Sequence, residues 1–245
     1  MTTRTIDIKT ADGICDTYVS YPDAGGPFPA VLFYMDAIGV RPVLNQMADR
    51  MAAAGFYVIL PNVFYRSGRA PVMEPTTVFS PENLPKLMAL IGGMPPDKVV
   101  NDAGTYLDFL SQQKEVKPGS KVVTTGYCFG GTMSVRTAAA FPERVAAAAA
   151  YHAGGLVTDD PKSPHKLLGS VKAELYFGHA DNDPYASPEQ VKTLEAALAT
   201  AGVKSKSELY PGAAHGFTMI DLPMHNAAAE KKHWDTLLSL FKRNT

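Results

Sequence analysis

Lys121-Val122-Val123-Thr124-Thr125-Gly126-Tyr127-Cys128-Phe129-Gly130-Gly131-Thr132 is the stretch on which the fold of this chain turns. An apolar run reaches Thr125, a Gly-Tyr-Cys-Phe-Gly-Gly turn follows, and residues 132–141 continue in a helix-compatible composition. A strand that hands over to a helix through G-x-C-x-G is a nucleophile elbow with sulfur in place of the usual hydroxyl. A nucleophile on so sharp a turn sits in a strained, often positive-φ backbone. Flanking side chains would clash there, and Gly126 and Gly130 remove them. The helix N-terminus brings N–H groups and its positive end to the sulfur, which favours a nucleophilic thiolate. An isolated cysteine is more often a small buried hydrophobe; the strand-turn-helix setting weighs against that here.

Outward from the elbow, short apolar strands alternate with longer amphipathic stretches, the rhythm of a mostly parallel α/β sheet. Residues 5–9 and 15–21 read as a hairpin around Asp12-Gly13. Residues 29–34, 57–60 and 121–125 read as strands buried on both faces, and 173–177 and 206–210 follow. Helices are expected at 43–54, closed by Gly55, at 97–112, at 188–201 between Ser187 and Gly202, and at 226–241. Residues 145–151 contain five consecutive alanines, which propensity assigns to helix; their place before His152-Ala153-Gly154-Gly155 predicts a tightly packed strand. Residues 65–96 carry Pro71, Pro75, Pro81, Pro85, Pro95 and Pro96 and are expected to form an irregular excursion, functional or mobile, in a single domain spanning 1–245.

The balance of 23 Lys and Arg against 24 Asp and Glu gives a net charge of −1 and no basic surplus for nucleic acid. Hydrophobic residues, 46% of the chain, suffice for a core. No apolar run approaches the ~20 residues of a membrane span, and the first residues show no apolar leader. Cys15 and Cys128 are the only cysteines, so no disulfide framework is expected and a cytoplasmic location is. Cys15 reads as a packed strand residue.

A nucleophile for acyl transfer needs a base and an orienter. Gly178-His179-Ala180-Asp181 puts a carboxylate just past a strand end, and Gly212-Ala213-Ala214-His215-Gly216-Phe217 puts a histidine in a loop after the next one. Catalytic groups of open parallel sheets collect at that edge. Asp181 is the expected orienter and His215 the base, with Asp183 in reserve. A metal reading of His179, Asp181 and Asp183 is set aside because no further ligand cluster accompanies them. His165, His225 and His233 read as surface or helix residues.

Together these segments resemble the dienelactone hydrolases, cysteine-dependent members of the α/β-hydrolase superfamily. Val31 to Gly39 and Gly55 to Arg66 add to the likeness, which spans nearly the whole chain. It implies a mostly parallel twisted sheet of about eight strands with helices on both faces, no cofactor, and hydrolysis of a small ester or lactone through a thioester. It also places Asp36 where the family carries a glutamate that helps activate the thiol, one methylene shorter. The backbone N–H groups of Ala37 and Phe129 become the oxyanion donors. An arginine that the type enzyme carries after its histidine is missing, since Thr218, Met219 and Ile220 follow Phe217. Between 67 and 96 only Arg69 and Lys86 are cationic, so a neutral ester fits as well as dienelactone. Tyr65, Tyr127 and His152 are candidate substrate-lining residues, with plain core as the alternative. A redox-sensing thiol on a binding scaffold, and acyl transfer or amide cleavage by the same triad, are the competing functions.

Overall fold

Alternating polar and apolar residues build the first hairpin. Thr2–Thr10 (β1) and Gly13–Tyr21 (β2) run antiparallel, with Thr10 opposite Gly13 across the tight turn. The apolar runs Ala30–Tyr34 (β3) and Tyr57–Pro61 (β4) are buried at every position, as strands covered on both faces must be. They pair in parallel, joined by Pro42–Ala53 (α1), which buries Val43, Leu44, Met47 and Met51. Gly55, at φ +101°, turns the chain where α1 ends.

The computed structural model describes residues 1–245, and the chain divides into two compact units, Met1–Ser120 and Lys121–Thr245. In the first the strands lie in the order β1-β2-β4-β3. The proline-rich excursion is less irregular than expected: it contains Leu84–Gly92 (α2), which buries Leu87 and Leu90. Pro85 falls in the first turn, where its missing N–H has no partner to lose, so it starts the helix rather than breaking it. Pro96–Ser111 (α3) follows and buries Val99, Asp102, Ala103, Tyr106, Leu107 and Leu110 on one face at the helical period.

In the second unit Val122–Tyr127 (β5), Val145–Tyr151 (β6), Glu174–Asn182 (β7) and Ser205–Ala214 (β8) are adjacent and parallel in chain order. The helices are Phe129–Ala140 (α4), Pro188–Ala201 (α5) and Ala227–Lys242 (α6). The alanine run is a strand, and packing explains its composition. A Cβ at Gly131 of α4 would come within 2.5 Å of the Ala153 Cβ and 3.2 Å of the Ala150 Cβ, so larger residues beneath α4 would force it off the sheet. Ser187 and Gln190 form a reciprocal capping box on α5, and Gly202 ends it in the left-handed conformation. No helix is long and apolar enough to cross a membrane.

Candidate active site

Four neighbouring parallel strands of the second unit end in chemically capable residues. Cys128 follows β5, His152 follows β6, Asp183 follows β7 and His215 follows β8. Parallel strands bring their C-terminal ends to one edge, so residues up to 87 positions apart in sequence become neighbours.

Cys128 is half-buried and has φ 52° and ψ −119°, a left-handed backbone for a non-glycine residue. Two glycines permit the turn. A Cβ at Gly126 would lie 2.0 Å from the Gly130 carbonyl oxygen, and one at Gly131 would strike Ala153. Gly131 therefore adds a steric requirement to that of Gly126. The elbow is tied down by the Cys128 N–H donating to the Tyr151 carbonyl at 3.0 Å, and by Gly131 N–H donating to the Cys128 carbonyl at 3.1 Å.

His215 takes its partner from Asp183, not from the expected Asp181. Nδ1 lies 2.9 Å from Asp183 Oδ1 and 2.8 Å from Oδ2. Asp181 Oδ2 instead accepts the Gly212 N–H at 2.9 Å. The cause is strand length: β7 runs on to Asn182, with an irregularity between Ala180 and Asn182 against β8. The first residue past the strand is therefore Asp183, and Asp181 is still within it. The Asp183 side chain is 1% exposed, and its Oδ1 also accepts the Tyr185 N–H at 2.9 Å, which locks its orientation.

The other ring nitrogen of His215, Nε2, is buried without an aligned hydrogen-bond partner. The Cys128 thiol lies close enough to the ring to act on it electrostatically. Burial by itself pulls the His215 pKa down. The Asp183 hydrogen bond, then the hydrogen bond and charge of Cys128, outweigh it and lift the group to about 10. The Tyr185 ring, otherwise exposed to solvent, stands edge-on to the His215 ring at 4.8 Å. Tyr185 escaped the sequence reading, and only its place two residues beyond the acid could have signalled it. A cavity of about 10 Å³ beside it, lined by Ala153, Leu156, His179, Tyr185 and Gln190, has room for about one water and is no substrate pocket.

The remaining candidates have other partners. Tyr127 is fully buried, and its hydroxyl meets His233 Nε2 of α6 at 2.6 Å, so the phenol does not line a pocket. Strand alternation sends it to the face opposite the elbow. His233, read from the sequence as a surface or helix residue, lies on α6 and is fully buried there. His152 is 1% exposed, with Nε2 2.8 Å from Thr218 Oγ1, and is likewise closed to ligand. Tyr65, in the first unit, donates to Asp102 Oδ1 at 3.0 Å and accepts from Thr10 at 2.7 Å, where it anchors the start of the excursion. His179 pairs with Ser207 at 3.1 Å, so His179, Asp181 and Asp183 diverge to three different partners. No group of three or more His, Cys, Asp or Glu is placed to hold a metal ion.

Asp36 and Ala37 are buried in the first unit, after β3. Asp36 Oδ1 accepts from Ile38 N–H at 3.0 Å and Arg41 Nη1 at 2.7 Å, and Oδ2 accepts from Arg41 Nη2 at 2.9 Å. The carboxylate caps its own turn and holds a bidentate ion pair with an arginine that is 3% exposed. The carboxylate is thus engaged within its own turn, and Arg41 is a partner the sequence did not reveal.

The model of the dienelactone hydrolase family matches residues 15–245. A protein of Escherichia coli K12 named "Putative carboxymethylenebutenolidase" is 27% identical over 226 residues, 89% of this chain and 78% of the relative. The solved structure of a "Putative Dienelactone Hydrolase" from Klebsiella pneumoniae superposes with a TM-score of 0.87 at 22% identity, covering 98% of each chain. A dienelactone hydrolase-like promiscuous phosphotriesterase from metagenomic libraries superposes with a TM-score of 0.82 at 23% identity, covering 99% of this chain and 98% of the other. These likenesses show the fold, the eight-stranded, mostly parallel α/β-hydrolase fold. With a family model covering nearly its whole length, the chain belongs to the dienelactone hydrolase family.

Proposed function

We propose that this hydrolase uses Cys128 as its nucleophile, His215 as general base and acid, and Asp183 as the orienting carboxylate, against a neutral ester or lactone. The observation that carries the reading is the bracketed imidazole: Nδ1 within 2.8 Å of Asp183, and Nε2 otherwise unbonded beside Cys128. The Cys128 sulfur adds to the carbonyl carbon while its proton rests on His215. The developing oxyanion meets the backbone N–H of Phe129, the first residue of α4. As the tetrahedral centre collapses, the C–O bond breaks and the alkoxide leaves with the proton from His215, giving a thioester on Cys128. Water then gives a proton to His215 and its oxygen to the acyl carbon, and the sulfur departs as thiolate with the acid released.

The neutral acyl group is argued from charge. Residues 152–160, 181–187 and 211–226, the strand ends and loops that carry His152, Asp183 and His215, contain no lysine or arginine. They do contain Asp159, Asp160, Asp181 and Asp221. A carboxylated substrate would meet acids there without a guanidinium to hold it. With both cysteines free thiols, a reducing compartment such as the cytoplasm suits the chemistry.

The test is Cys128→Ala against the parent on a chromogenic acetyl ester, with rapid-quench mass spectrometry of the parent. The variant should lose at least about 10³-fold in kcat, and the parent should carry one acyl group on the Cys128 peptide. Full activity in the variant, or turnover in the parent with no acylated Cys128 peptide, overturns the assignment.

A further inference from the structure

Only two non-glycine residues in the chain have a left-handed backbone, Cys128 at φ 52° and His152 at φ 38°. The first is explained by the elbow. The second stands at the end of the next strand, where a glycine would take the same conformation without strain. The chain keeps an imidazole there, fully buried, with Nδ1 left unpartnered. Both choices carry an energetic penalty, so the side chain has a use that offsets it.

The contacts of His152 reach all three catalytic segments. The carbonyl of Tyr151, just before it, accepts the Cys128 N–H at 3.0 Å. Its own N–H donates to the Gly178 carbonyl at 2.7 Å, on the strand that ends at Asp183. Its Nε2 meets Thr218 Oγ1 at 2.8 Å, on the loop that carries His215. Its ring packs edge-on against His215 at 5.1 Å and Phe217 at 5.2 Å. We infer that His152 is a positioning residue that fixes the plane of the His215 imidazole between Asp183 and Cys128. The inference rests on the triad reading above and assigns His152 a role apart from substrate contact.

His152 does not share the proton work. Burial, followed by the charges of His215 and His233, holds its pKa well below the ordinary 6.5. The other groups that face it, Tyr127, Phe217 and Thr218, carry no charge at neutral pH. It remains a neutral ring against which an imidazolium can turn or be held. Two positive imidazoles at this distance would repel, so the pair accommodates one proton and His215 has it. A rigid neutral neighbour suits a base that must hold its alignment through acylation and deacylation, because ring rotation breaks both contacts at once.

Three variants test this: Thr218→Val, which removes the hydrogen-bond partner at constant shape, His152→Leu, and His152→Gln, whose amide can restore the bond to Thr218. The readouts are kcat and KM on a chromogenic ester, and the pH profile of Cys128 alkylation by iodoacetamide. Thr218→Val and His152→Leu should lower kcat by about 10–100-fold, in the range of a small misalignment, with KM within about twofold. Both should displace the alkylation profile, and His152→Gln should recover part of each loss. A kcat and alkylation profile unchanged in Thr218→Val overturn the inference, including where His152→Leu fails to fold. If the parent hydrolyses no ester, the hydrolase reading falls alone, and the alkylation profiles still decide on His152.

Discussion

Asp183 and Asp181 are two residues apart and chemically identical, yet only Asp183 touches His215. The difference is a backbone matter, since Asp181 is spent on the Gly212 N–H while Asp183 accepts from both His215 and Tyr185. Asp183→Asn should therefore lower kcat by about 10²–10⁴-fold, because the amide favours the wrong ring tautomer. Asp181→Asn should stay within about threefold of the parent, and steady-state kinetics on one ester compares the two. The same contact has a pH signature. His215 is lifted from 6.5 to about 10 in the folded chain, against the resistance of burial, by Asp183 and Cys128. A raised pKa stabilises the fold fully below about pH 6.5, the value of an unfolded histidine, and that contribution is lost as pH rises toward 10. Urea midpoints of the parent, minus those of His215→Phe, should fall across this interval.

At the scale of single elements, the elbow and the turn after β3 show how local sequence and local packing share the work. The strand-turn-helix at Cys128 is legible because glycine is the only residue that escapes a 2.0 Å approach between a Cβ at 126 and the Gly130 carbonyl. The Asp36 turn was not legible in the same way. Its carboxylate looked free to serve a distant thiol, but five residues later Arg41 returns to take both oxygens. Asp36→Ala takes both carboxylate oxygens away from that buried guanidinium and should lower the urea midpoint of unfolding. Asp36→Asn, which keeps the turn-capping acceptor and loses the charge, should fall between. An alkylation rate that changes while stability holds would return Asp36 to the thiol. The alanine strand β6 followed the same logic in reverse: local propensity pointed to helix, and the close approach of α4 selected small residues for a strand.

For the molecule as a whole, charge distribution argues more about substrate than fold does. The net charge of −1 leaves no field to gather an anion. The cations of the Asp36 turn and of the excursion are already engaged. Arg41 holds Asp36, Arg66 holds Asp102 and Asp12, Arg69 holds Asp7 at 2.8 Å, and Lys86 donates to the Val72 carbonyl at 3.3 Å. A series of matched esters should show kcat/KM at least about tenfold higher for neutral acyl groups than for carboxylated ones, equivalent to one ordinary charge-assisted contact. Preference for the carboxylated members, measured at constant ionic strength, would retract the neutral-substrate reading and leave the triad intact.

The order of strands and helices and the glycine-framed elbow were legible in the sequence, because each depends on interactions within a few residues. Hydrophobic period separates helix from strand, glycines mark positions that tolerate no Cβ, and a cap is a hydrogen bond across three residues. The carboxylate that partners His215, the Tyr185 ring against it and the four contacts of His152 depend on where β7 ends and how loops fold back. Those are decided by contacts between segments tens of residues apart. A one-residue change in strand length exchanges which side chain faces which partner, and only packing sets that length.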